Sequence, residues 1–192
     1  MPRDQPQQGL PTCLSHPQVS LVGRVDERMI ERFHEQLGQA HKESGDIAVE
    51  MTTLGGDADL ARRLALDVAA ARKQLSGRLL FLGKTAVYSA GTTVMGAFPR
   101  EERYLTRDAV LLIHCRQLEQ QINLSGPIRS SLPQLNAIKA QIEVGIKLEE
   151  AGFRELVAGS DVSLDKLFER ALCDWYVTAE EALKLRLVAD LV

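Results

Sequence analysis

The sequence contains little of what marks metal-binding, membrane-spanning or nucleic-acid-binding proteins. Its 3 cysteines, at positions 13, 115 and 173, lack metal-ligand spacing, so we expect reduced thiols that pack as small apolar side chains. No apolar run approaches the roughly 18 to 20 residues that a membrane-crossing helix needs. The 23 basic and 26 acidic residues give a net charge of −3, which offers no basic surface for nucleic acid. We therefore expect no cofactor, no metal, no membrane contact and no nucleic-acid partner.

The first residues also lack the apolar core of a signal peptide. Residues 1–18 are polar and rich in proline and glutamine, which predicts a flexible N-terminal arm on a cytoplasmic protein. The remaining residues, 19–192, suffice for one domain with a buried core. A hydrophobic fraction of 45% and a charged fraction of 26% are ordinary for such a domain.

Strand and helix patterns alternate along this domain. Apolar runs predict strands, and apolar residues at helical spacing predict the helices between them. The predicted strands are 19–22, 46–51, 79–82, 103–106 and 109–113, and the first two helices are 26–42 and the stretch that contains Leu60, Leu64, Val68 and Ala71. This alternation is typical of an α/β fold with a mostly parallel sheet.

The second half of the domain has a different organisation. Residues 116–133 are polar, which predicts an excursion from the core, and a long apolar-striped helix follows over about 135–157. A helix longer than the average of 11 to 12 residues often projects and packs against a partner. Ser163 and Thr178 are predicted to cap the last two helices, and Glu181 completes a capping box with Thr178.

The strongest indication of function is a serine and a histidine at the ends of two predicted strands. Ser89 stands between an apolar strand run and a run of small residues, and His114 follows 25 positions later at the end of a buried strand. A serine hydroxyl becomes a useful nucleophile when an adjacent base takes its proton. The start of a helix also presents free backbone N–H groups, which suit a developing oxyanion.

Five short motifs follow one another along the domain: Leu21-Val22-Gly23-Arg24-Val25, Leu54-Gly55-Gly56, Tyr88-Ser89-Ala90-Gly91, Leu112-Ile113-His114 and the segment from Asp174 to Ala182. In sequence and order they resemble the motifs of the Clp protease proteolytic subunit (ClpP) family of serine peptidases, within the crotonase-like superfold. The resemblance covers about residues 19–192. The 25-residue step between Ser89 and His114 is the same as in that family.

The resemblance implies both a fold and a site. The fold would be the crotonase/ClpP-like superfold of repeated β-β-α units, with a projecting long helix in a handle region, residues 116–160, for oligomer contacts. The site would be a catalytic triad of Ser89, His114 and Asp174, with an oxyanion hole made by the backbone of Gly56, Asp57 and Ala90. The implied protein is a self-compartmentalised homo-oligomeric ring that cleaves unfolded proteins or peptides, with an ATP-dependent unfoldase as a possible partner.

The chain departs from the family pattern in three places near this site. Asp57 stands where the family has an apolar residue, and a carboxylate beside an oxyanion hole opposes the developing charge unless it points away. Cys115 and Arg116 replace the family's Gln-Pro. The interval of 60 positions from His114 to Asp174 exceeds the family's, which predicts an insertion within 116–133.

Three alternatives follow from the same residues. These departures are compatible with a catalytically weak or silent ring subunit that serves assembly. The superfold also includes acyl-CoA hydratases and hydrolases, although no paired glutamates stand near Gly56 or Ala90. A Ser-Lys dyad with Lys84 as base is the least supported alternative, because His114 already supplies a base.

Overall fold

The computed structural model describes residues 9–41 and 45–192. Its strands are β1 (Val19–Val22), β2 (Ile47–Thr53), β3 (Leu79–Tyr88), β4 (Arg103–Leu105), β5 (Val110–Ile113), β6 (Trp175–Thr178) and β7 (Asp190–Leu191). Its α-helices are α1 (Glu27–Ala40), α2 (Ala58–Gln74), α3 (Ala90–Gly96), α4 (Ile128–Val157), α5 (Leu164–Ala171) and α6 (Ala179–Lys184). The mixed α/β fold predicted from the alternating patterns is confirmed.

The sheet is parallel except at one edge. Strands β1, β2, β3, β4 and β7 lie side by side in that order, and every neighbouring pair in this order is parallel. Strand β3 pairs with β2 on one side and with two strands on the other, since residues 81–83 pair with β4 whereas residues 86–88 pair with β5. Thr85, between these two stretches, has a φ of 56° and bends the strand. The bend carries the C-terminal end of β3 towards β5, to which β6 is antiparallel.

The helices cover the sheet with small and medium apolar side chains. Met29 and Phe33 of α1, and Leu64 and Val68 of α2, are fully buried in the main core. The capping prediction for the end of the chain is confirmed, since the Thr178 hydroxyl accepts from the Glu181 N–H and the Glu181 carboxylate accepts from the Thr178 N–H.

The predicted flexible arm is partly packed. Residues 1–8 lie outside the described residues, but a short 3-10 turn at Thr12–Ser15 places Leu14 at 3% exposure against the sheet. Its neighbours there are Ala48, Leu80 and Tyr104. The turn at Thr12–Ser15 therefore packs on the fold, where Leu14 covers this face of the sheet.

The long helix α4 begins at Ile128, earlier than the predicted start near 135, and has 30 residues. A helix of that length is about 45 Å long. Only Gly152, Phe153 and Leu156, near its C-terminal end, are buried. The rest exposes apolar side chains, with Ile128 at 87% and Leu132 at 62%.

Among the described residues, no helix is both long and apolar enough to cross a membrane.

Candidate active site

Ser89 occupies a strained junction between β3 and α3. Its φ of 55° and ψ of −115° are unusual for a residue with a side chain. The Ser89 N–H donates to the Leu112 carbonyl at 2.8 Å, and the Ser89 carbonyl accepts from the Thr92 N–H at 2.9 Å. Backbone strain that persists because neighbours fix it is typical of functional sites. The sharp turn leaves the Ser89 side chain partly exposed at the start of a helix.

Two glycines make room for this junction. A Cβ on Gly55 would come within 2.9 Å of the Ser89 Cβ and 3.3 Å of its Oγ, and Gly55 has a φ of 112°. A Cβ on Gly91 would come within 2.5 Å of Thr53 Cγ2. The turn after β2 and the start of α3 are therefore in contact at positions where any side chain would displace its neighbours.

The turn after β2 presents one free amide beside this junction. The Gly55 carbonyl accepts from the Val25 N–H at 3.0 Å, and the Asp57 N–H donates to the Val25 carbonyl at 2.9 Å. Within residues 9–41 and 45–192, the amides of Gly56 and Ala90 have no hydrogen-bond acceptor. The prediction that the Asp57 amide serves an oxyanion hole needs correction, since that amide is already engaged by Val25.

The Asp57 carboxylate is turned towards a helix. It is the N-cap of α2 and accepts from the backbone N–H groups of Asp59 at 2.8 Å and Leu60 at 2.9 Å. A carboxylate that caps a helix is stabilised by unpaired N–H groups and by the helix dipole. The carboxylate is thus engaged by the first amides of α2, which weakens the electrostatic objection raised by this residue.

His114 and Asp174 lie at the same edge of the sheet as Ser89. The antiparallel register pairs Ile113 of β5 with Trp175 of β6, and one further residue in each strand sets His114 opposite Asp174. Tyr88 pairs with Leu112 in the neighbouring parallel ladder, which brings Ser89 next to the end of β5. The fold therefore gathers the three predicted residues at one edge, with His114 half-buried and Asp174 exposed.

The side chains of these three residues are not joined by hydrogen bonds. His114 Nδ1 lies 2.7 Å from the carbonyl oxygen of Cys115, and since a carbonyl only accepts, Nδ1 carries the proton. In the described part of the chain, no hydrogen bond links His114 to Ser89 or to Asp174. The imidazole is thus held by the backbone that follows it.

The segment after His114 is anchored to two helices. The Arg116 N–H donates to the Glu149 carboxylate of α4, and the Arg116 guanidinium pairs with Asp59 at the start of α2. Burial, reinforced by the nearby Glu149 charge, raises the pKa of the Cys115 thiol. Sequence reasoning missed Glu149, because nothing in a helical stripe indicates which exposed carboxylate reaches the site.

An aromatic pair lies beside Ser89. The rings of Tyr88 and Tyr176 meet edge to face, with centroids 5.9 Å apart, and Leu112 lies between them in register. Tyr176 remains 56% exposed. Both tyrosines stand in quoted motifs, Tyr88 before Ser89 and Tyr176 after Asp174, but those motifs did not predict that the two rings meet.

Lys84 does not lie free beside the serine. Its ammonium pairs with the Glu50 carboxylate, which also accepts from the Ser20 hydroxyl at 2.6 Å. This cluster lies in the β1–β2–β3 part of the sheet and occupies the amine that a Ser-Lys dyad would require. Among the described residues, no group of three or more His, Cys, Asp or Glu side chains is arranged to hold a metal ion.

In comparisons with known proteins, the structure of this chain finds a match, whereas its sequence matches no family model and no curated protein. A solved structure, a point mutant of ClpP1 from Listeria monocytogenes, is similar with a TM-score of 0.69 over 91% of each chain, at 16% sequence identity. The chain therefore has a ClpP-like fold and is highly divergent in sequence.

Proposed function

We propose that the protein is a serine endopeptidase, a ClpP-like ring subunit of the cytoplasm that hydrolyses peptide bonds of unfolded proteins or peptides. The observation that carries this proposal is the Ser89 junction: a strained serine at a helix start, packed against Gly55. A serine that only capped a helix would not need such backbone strain, or a glycine pressed against its side chain.

In the proposed reaction Ser89 Oγ attacks the scissile carbonyl while His114 Nε2 takes the hydroxyl proton. The carbonyl π electrons move to oxygen, and the oxyanion accepts hydrogen bonds from the Gly56 and Ala90 amides. Collapse breaks the C–N bond, and His114 returns its proton to the leaving amine. Water then attacks the acyl-enzyme in the same manner and frees Ser89.

This reaction requires one change from the structure described above. His114 Nδ1 must turn from the Cys115 carbonyl to Asp174, which then orients the imidazole and favours its charged form. Catalytic hydrogen bonds that are long or misaligned in a resting protein often form only with substrate bound. The structure accordingly corresponds to a resting arrangement in this proposal.

Assembly is the second part of the proposal. Helix α4 exposes more apolar surface than a helix that stays in contact with water usually does. Burying these side chains between copies of the chain would stabilise a ring. A chamber would confine the site to unfolded chains or short peptides. An ATP-dependent unfoldase would deliver the longer substrates.

The alternative function is that of a silent ring subunit. The contact between His114 and the Cys115 carbonyl favours it, because this contact keeps the base from its expected partner Asp174. In this alternative the ClpP-like fold serves assembly and the serine is never activated.

The test is covalent labelling of the purified protein by a fluorophosphonate, read by intact mass, together with a native mass of the assembly. The parent and Ser89→Ala are compared at equal concentration. We expect one adduct per chain in the parent, none in Ser89→Ala, and a native mass of several chains. A well-assembled parent without an adduct would overturn the peptidase proposal and support the silent subunit.

A further inference from the structure

Arg103, the first residue of β4, has a buried side chain without an acidic partner. It is 1% exposed, and among residues 9–41 and 45–192 no carboxylate forms an ion pair with its guanidinium. Moving a charged group out of water is costly unless other groups replace its hydration. The surroundings of Arg103 must therefore supply that replacement.

Five backbone carbonyls supply it. The guanidinium has five N–H donors in a planar fork. Its hydrogen bonds go to Phe98 at 2.7 Å, Leu156 at 2.6 Å, Glu155 at 2.9 Å, Gly96 at 3.1 Å and Leu187 at 3.3 Å. Burial lowers the pKa of Arg103 to about 10, which leaves it charged at neutral pH.

The acceptors belong mainly to two helix ends. Gly96 and Phe98 lie at the C-terminal end of α3, and Glu155 and Leu156 at the C-terminal end of α4. The last carbonyls of a helix have no partner within the helix, and its dipole favours a positive charge there. One cation thus satisfies the ends of both helices and fixes their relative position.

Helix α3 is consequently held at both ends. Its start is fixed by the Ser89 N–H on the Leu112 carbonyl, and its end by Arg103. The helix has seven residues, about 10 Å, so a displacement of its end reaches its start. The contact with α4 is close, since a Cβ on Gly96 would lie 3.3 Å from the Leu156 nitrogen.

We propose that Arg103 is a positioning residue for the active site: by clamping the C-terminal ends of α3 and α4, it sets where α3 presents Ser89 and the Ala90 amide. This inference rests on the proposed peptidase function. Arg103 touches neither the substrate nor the reacting atoms. It connects α3, which follows the proposed nucleophile, to the C-terminal end of the long helix α4.

The test compares Arg103→Lys with the parent and with Arg78→Lys, a matched change at an exposed arginine paired with Asp46. Lysine keeps the charge but loses the planar fork. Fluorophosphonate labelling counts the active serines in each sample, and kcat and KM for a fluorogenic peptide are expressed per active serine. We expect Arg103→Lys to lower kcat per active serine at least tenfold with KM within about twofold, and Arg78→Lys to match the parent.

A purely structural role gives a different result. Arg103→Lys would then yield fewer active serines, each with the parent's kcat, and that outcome overturns the inference. If Arg103→Lys does not fold, Gly96→Ala replaces it, because it presses α3 against Leu156 and leaves Arg103 intact. An unchanged kcat per active serine in Gly96→Ala also overturns the inference.

A second readout does not need activity. The Ser89 amide donates to the Leu112 carbonyl, and the Thr92 amide donates to the Ser89 carbonyl. The rates of hydrogen exchange at these two amides therefore report whether the start of α3 is still held in place. We expect faster exchange there in Arg103→Lys than in Arg78→Lys. An unlabelled parent would defeat the peptidase proposal, whereas unchanged exchange would defeat the role of Arg103, so the two failures are distinguishable.

Discussion

The α-carbon of Gly55 faces the side chain of Ser89 so closely that a methyl group on Gly55 would lie 2.9 Å from the Ser89 Cβ. Gly55 also has a φ of 112°, where residues with side chains are rarely found. The turn after β2 and the turn after β3 therefore pack directly against each other, and the amides proposed for the oxyanion hole depend on both.

Gly55→Ala should disable the proposed site with a moderate effect on the fold. The methyl group must push Ser89 or the Gly55–Gly56 turn away, and a shift of this kind misplaces nucleophile and amides together. We expect at least a tenfold lower rate of fluorophosphonate labelling. Gly38→Ala in α1 is the matched control, because a Cβ there meets nothing within 4 Å. An unchanged labelling rate in Gly55→Ala would contradict the placement of the site.

Asp174→Asn tests whether the imidazole leaves the Cys115 carbonyl during turnover. If Asp174 orients His114 in the reacting state, the amide favours the wrong tautomer, and kcat falls by orders of magnitude, as much as about 10⁴. Peptide hydrolysis per active serine measures this loss, with Asp165→Asn, an exposed residue of α5, as control. A loss below about threefold would mean that the Cys115 carbonyl already orients the base and that Asp174 has no such role.

Ile146→Glu tests the assembly role of the long helix. Ile146 is 55% exposed, and a charge at a position buried between copies must be desolvated, which weakens association. We expect a lower native mass at a given concentration. Lys147→Glu changes the charge at the next position of the same helix and serves as the control. Equal native masses for the parent and Ile146→Glu would show that this face does not hold the copies together.

The sequence predicted the parts of the fold that follow from local patterns. The order of β1 to β5 with α1 and α2, and the capping box at Thr178, follow from apolar periodicity and side-chain chemistry, whereas β6 and β7 were not predicted. The extent of β3 does not, because Gly83, Lys84 and Thr85 interrupt its apolar run and the strand continues past them through its pairing with β2 and β5.

The candidate site, too, could be predicted only in part from the sequence. The closeness of Ser89 and His114 follows from the ends of neighbouring parallel strands, whereas Asp174 reaches them only because β6, which was not predicted as a strand, pairs antiparallel with β5. The contact of His114 with the Cys115 carbonyl and the use of the Asp57 amide by Val25 depend on backbone geometry that side-chain identities do not encode. Arg103 was not predicted either, since a single arginine gives no sign that carbonyls rather than carboxylates will surround it.

Acid should weaken the fold in part through the ion pair between Asp46 and Arg78. The Asp46 carboxylate accepts from the Arg78 backbone N–H at 2.8 Å and from its guanidinium at 2.6 Å, which joins the starts of β2 and β3. These contacts, the guanidinium hydrogen bond above all, hold the pKa of Asp46 below its ordinary value. The stabilisation is therefore complete above the ordinary pKa, about 3.9, and is lost as the pH falls through the lowered folded-state value.

Asp46→Asn should consequently be less stable than the parent at pH 7 and approach it at pH 3. Because both side chains are partly exposed, we expect a difference of at most about 1 kcal/mol in the free energy of unfolding at pH 7, and less in high salt. Urea unfolding at both pH values, at one fixed protein concentration, measures it. If the difference were the same at pH 7 and pH 3, the carboxylate charge would not be its source, and loss of packing at the Asp46 side chain would explain it instead.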